Sequence, residues 1–179
     1  MIEKRAYLWP EITLCIATCL VMIVGLSPAA NARRLCSWIC GVALLLAAGL
    51  AAYTPANPDA LCPDLIPYFK GLTAVVGLML LLALAGTVDR DLEDLIDRGK
   101  IKFNPLQANR AEFYSFFLFS LTGLMLCATA DDLIWLFLAL ELTSLPTYVM
   151  VVISTRGTRS QEAGVKYFFL GALGAAVFL

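Results

Sequence analysis

The stretch 131–149, DDLIWLFLALELTSLPTYV, decides the fold. Eight apolar residues follow the aspartate pair before Glu141 interrupts them, and the apolar run then resumes as far as Ser154. A transmembrane helix needs roughly 20 mostly apolar residues, so 133–154 reads as one crossing. Glu141 lies about ten residues into it, hence ~15 Å deep at a rise of ~1.5 Å per residue. That is close to the midplane of a hydrocarbon core about 30 Å thick. An ionised side chain at that depth costs at least ~2.5–3.5 kcal/mol, which makes such a residue a functional candidate by default. Ser144 and Tyr148, at i+3 and i+7, share its face and extend a polar stripe along the helix. Pro146 has no backbone N–H, so the carbonyl of Leu142 loses its helical partner beside the carboxyl. A kinked helix with a free carbonyl next to a buried acid is a place for water and protons. The competing reading is a structural acid, neutral or paired with a neighbouring helix.

Outward from this segment the same pattern recurs. Hydrophobic residues make up 60% of the 179-residue chain and charged ones 15%; a soluble domain averages about 45–50% and about 25%. One core of this size cannot hide that much apolar surface, so lipid is the expected solvent. Apolar runs predict an all-α, polytopic transmembrane bundle of about six spans, at 8–30, 35–53, 68–88, 111–130, 133–154 and 161–179. Prolines and aspartates in TPANPDALCPDLIP, residues 54–67, predict a loop. Residues 89–109 predict a cytoplasmic loop carrying a short amphipathic helix, with Leu92, Leu95 and Ile96 on one face.

Orientation follows from lysine and arginine, which favour the cytoplasmic ends of spans. Arg33, Arg34, Arg90, Arg98, Lys100, Lys102, Arg110, Arg156 and Arg159 all fall on one side of the six-span arrangement. Lys4, Arg5 and, near the start of span three, Lys70 fall on the other. The amino terminus is therefore expected outside. The opening could also be read as a signal peptide ending at Ala30-Asn31-Ala32. Pro10-Glu11 within it and Arg33-Arg34 directly after it fit a retained span better.

Several function classes drop out. The net charge is −1 and no basic patch is interleaved with aromatics, so nucleic acid is not an expected partner. The absence of histidine removes His-ligated haem, the usual zinc chemistry and any histidine triad. Cys15/Cys19 and Cys36/Cys40 have one-turn spacing. Their depths from opposite membrane faces differ by more than a single four-thiolate site allows, so they read as small apolar residues. At the helix ends, Asn109 with Glu112 has capping-box spacing, Asp131 or Asp132 can cap span five, and Thr158 or Ser160 span six.

Lys166 lies about five residues into span six, where it could snorkel to the headgroups. Gly164, Gly171 and Gly174 on that helix invite close packing, which would turn Lys166 toward protein.

Taken together, RAEFY at 110–114, the quoted 131–149 stretch and EAGVKYFFLGAL at 162–173 resemble subunit N of bacterial NADH-quinone oxidoreductase, respiratory complex I. ELTSLPTYV is the most specific part and sets the resemblance apart from subunits L and M and from Mrp-type antiporters. The resemblance is close over 105–179 and loose before. It implies the amino-terminal part of an antiporter-like fold of roughly fourteen helices in the bacterial inner membrane. Glu141 matches the family's fifth-helix glutamate and Lys166 its sixth-helix lysine, both as proton carriers, with Ser144, Pro146 and Tyr148 in support. No cofactor is then expected on this chain; NADH, FMN, iron–sulfur clusters and quinone belong to other subunits of the complex, the expected partners along with the bilayer. The family's broken seventh helix and second inverted repeat lie beyond Leu179, so the chain is expected to be an amino-terminal fragment or to need a second chain for the missing helices. Two alternatives stay open: a cation/proton antiporter subunit of the Mrp type, and a non-transporting scaffold or assembly protein.

Overall fold

The computed structural model describes residues 7–27, 30–53, 64–84, 95, 98–99, 110–154 and 157–178. Six helices form among them: α1 (Trp9–Gly25), α2 (Ala30–Tyr53), α3 (Leu65–Leu84), α4 (Arg110–Ala128), α5 (Leu133–Ile153) and α6 (Thr158–Phe178). The predicted cytoplasmic loop 89–109 and the Asn109 cap lie almost wholly outside the described residues, as does Cys62.

Helices α1 to α4 pack into a bundle, α5 lies along α4, and α6 lies along α5 at the edge. Leu14 and Val21 of α1, Leu44 of α2, and Leu118 and Met125 of α4 are sealed inside the bundle. Its close packing comes from a stripe of small residues on α2: Cys36, Cys40, Ala43, Ala47 and Ala51 fall at helical spacing and are all buried. Here the two thiols fill space as small groups, Cys36 Sγ also donating to the Val21 carbonyl at 3.9 Å. Gly25 of α1 meets Ala111 of α4, so these helices run antiparallel with their backbones in near contact.

The apolar faces turned away from this core carry Ile16, Ile23, Leu45, Leu46, Met79 and Leu82, all exposed. Four helical segments are long and apolar enough to cross a membrane: Leu35–Tyr53, Leu65–Leu84, Arg110–Ala128 and Leu133–Ile153. Helix α1 is apolar but shorter, at 17 residues. Helix α4 is about half buried inside the bundle and α5 much less so; α4 is therefore a central helix and α5 a peripheral one.

Two expectations from the sequence need correction. Leu65, Ile66 and Pro67 do not belong to a loop; they form the first turn of α3. Proline is tolerated there because a first-turn N–H has no helical partner to lose. Ser160 does not cap α6, which begins at Thr158. Its hydroxyl donates instead to the Val151 and Val152 carbonyls, satisfying acceptors left open at the end of α5.

Candidate functional site

The α5 helix starts where Asp132, in extended backbone, accepts a hydrogen bond from Trp135 N at 2.6 Å. The Trp135 indole donates back to the Leu126 carbonyl at 3.3 Å, fastening the turn between α4 and α5. Deeper in, the two helices come so close that a Cβ on Gly123 would lie 2.6 Å from Thr143 N and 2.8 Å from Leu142 C. Ser120 Oγ donates to the Thr143 carbonyl at 3.1 Å. Because Pro146 cannot donate to Leu142, the weakened stretch of α5 lies directly against this glycine.

Glu141 sits on that stretch, half-buried. Among the described residues no hydrogen bond or ion pair engages its carboxyl. Ser144 Oγ is committed to its own helix, donating to the Leu140 carbonyl at 2.9 Å. Pro146 and Tyr148 are buried. The Tyr148 hydroxyl occupies a notch over Gly171 that any side chain there would fill. Its ring meets Tyr167 edge-on, centroids 4.6 Å apart, and Phe168 at 5.9 Å.

The stacking of Phe137 on Phe178, centroids 5.9 Å apart, fixes the other end of the α5–α6 register. Glu141 therefore lies at the level of the last turns of α6, while Lys166 lies near the level of Tyr148. Seven residues of helix separate those levels, ~10 Å at ~1.5 Å per residue. The structure does not bring Glu141 and Lys166 together. Lys166 Nζ instead pairs with Glu162 Oε1 at 2.6 Å, with side chains 71% and 64% exposed. Close packing of α6 is present at Gly164, which meets Val152, and at Gly171; Gly174 has nothing within 4 Å. Lys166, however, points away from that packed face, since two residues of helix rotate it by about 200° from Gly164.

One ionisable pair escaped the sequence reading. Lys70 Nζ lies 2.7 Å from Glu11 Oε1, with side chains 1% and 4% exposed, and donates to the Tyr7 carbonyl at 2.6 Å. A signal for it exists. Alternate spans enter from the same side, so Glu11 early in α1 and Lys70 early in α3 stand at similar depths.

Six helices with apolar outer faces and ionisable side chains held among them define a multi-pass membrane protein. Residues 130–179 match the family described as NADH:quinone oxidoreductase/Mrp antiporter, TM. The chain is 49% identical over 72 residues, 40% of its length and 14% of the relative's, to NADH-quinone oxidoreductase subunit N of Myxococcus xanthus. It is 32% identical over 179 residues, 100% of its length and 36% of the relative's, to subunit N of Rhizorhabdus wittichii. To subunit N 2 of Rhizobium meliloti it is 30% identical over 170 residues, 95% of its length and 34% of the relative's. The chain belongs to this family of NADH-quinone oxidoreductase membrane subunits. It spans about a third of the length of the relatives that match it nearly end to end.

Proposed function

We propose that this chain is part of the proton-translocating membrane arm of NADH-quinone oxidoreductase, acting as a subunit of the N type. Glu141 carries the reading. It is a half-buried carboxyl in the apolar middle of α5, next to the Leu142 carbonyl that Pro146 leaves without a helical donor, and no other described group engages it. Movement of a cation toward or away from it would load and unload a proton. Lys166 would serve the cytoplasmic side of the path, handing protons between water and the interior. Tyr148 would hold the α5–α6 contact that positions the acid, and Pro146 would keep the Leu142 carbonyl free of a helical donor.

Electron transfer between NADH and quinone, with its FMN and iron–sulfur clusters, is assigned to other subunits. The partners are then the neighbouring membrane subunits and the helices that complete the fold, whether on the same polypeptide or another. The lysine and arginine distribution supports an orientation in the bacterial inner membrane with the amino terminus outside.

The test is Glu141→Ala in the assembled complex, scored for complex yield and for protons moved per electron pair. A proton carrier predicts normal yield with a lowered ratio. A scaffold predicts low yield and an unaltered ratio in the complex that remains.

A further inference from the structure

The Glu11–Lys70 pair stands apart from the α5 site. It is enclosed at the end of the bundle where α1 and α3 begin, with Ala47 and Ala51 of α2 buried at that same end. Lys70 is the sixth residue of α3, ~7 Å along the axis from its first residue at ~1.5 Å per residue. A lysine stem reaches that far, so Lys70 could snorkel to water. It turns inward instead, to Glu11 and to the Tyr7 carbonyl.

A static ion pair does not account for this arrangement. Burying two charges is unfavourable unless the remaining lone pairs and protons are also satisfied. Glu11 Oε2 is buried with no hydrogen-bond partner among the described residues. A carboxyl with one oxygen at a lysine and the other bare has room for a proton, or for a water that delivers one. We infer that Glu11 and Lys70 form a second proton-exchange site, supplied from the membrane face at which α1 and α3 begin and independent of Glu141.

In the exchange a hydronium ion arriving from that face gives up its proton. An O–H bond forms at Glu11, water leaves, and Lys70 remains as the ammonium. Return of the proton to water breaks the O–H bond and restores the pair. Among the described residues, the titratable groups at this end are Tyr7 just before α1, Cys15 one turn along α1, Asp64 and Tyr68 at the start of α3, Tyr53 at the end of α2, Cys127 on α4, and Asp131 and Asp132 in the turn after it. Asp64, Tyr68 and Tyr53 are exposed, and Cys15 and Cys127 are half-buried. None of them is a second buried carboxyl or amine.

The experiment is infrared difference spectroscopy on the full chain in phosphatidylethanolamine–phosphatidylglycerol vesicles, cycled between neutral and mildly acidic buffer in H2O and D2O. The expected result is a protonated-carboxyl C=O band that comes and goes with the cycle and shifts in D2O. It is lost in Glu11→Gln and kept in Glu141→Gln. Glu11→Asp, which keeps the carboxyl and so guards against misfolding of the amide variant, moves the band without removing it. Identical spectra for wild type, Glu11→Gln and Glu11→Asp, at equal helical content, would mean that Glu11 stays ionised, and would overturn the proposal. Loss of proton pumping on changing Glu141 bears on the α5 site alone, so the two readings fail separately.

Discussion

The Tyr148 hydroxyl lies in the space that a side chain on Gly171 would occupy, and so locks α5 to α6 at one register. This contact joins the helix bearing Glu141 to the helix bearing Lys166, and it admits no added atom.

Gly171→Ala must push Tyr148 out of its notch. Overpacking of this kind costs ~1–3 kcal/mol, so the variant's thermal unfolding in detergent should fall clearly below that of wild type. Gly174→Ala meets nothing within 4 Å and should be neutral or slightly stabilising, since alanine is the better helix former.

Asp132 caps α5 through Trp135 N. Asp132→Ala should cost about 1 kcal/mol, within the usual ~0.5–2 kcal/mol for a lost cap, while Asp132→Asn keeps most of it. Amide hydrogen exchange in the first turn of α5 would report the difference.

Much of this architecture could be read from the chain alone, because period and composition act locally. The apolar runs mark the helices, and Asp132 caps α5 for the reason its side chain suggests. What escaped the reading depends on distant partners. Glu11 and Lys70 are 59 positions apart in the sequence, and only the bundle formed with α2 and α4 brings these two charges together as one buried pair. Pro67 has the chemistry of a helix breaker, and its tolerance in α3 depends on where the first turn falls. Ser160 had the right chemistry for a cap but bonds to the preceding helix. Glycines alone did not reveal which face of α6 they serve. Lys166 shares their helix and lies on the other side.

Removing one member of the Glu11–Lys70 pair strands the other. Glu11→Leu or Lys70→Met alone should destabilise by ~3–5 kcal/mol, and the double variant by much less than the sum. A double-mutant cycle from denaturant unfolding in mixed micelles measures this coupling.

Lys166 makes only an exposed i,i+4 pair with Glu162. Lys166→Gln should therefore change stability by less than ~0.5 kcal/mol. If Lys166 serves the proton path in the assembled complex, the same variant slows pumping while its unfolding curve overlays wild type.

The most direct measurement is the number of protons moved per electron pair by membranes carrying Glu141→Gln and Glu141→Asp in the intact subunit. The account predicts a lowered ratio for the amide and substantial recovery for the shorter acid. An amide variant that pumps with the wild-type ratio would contradict it.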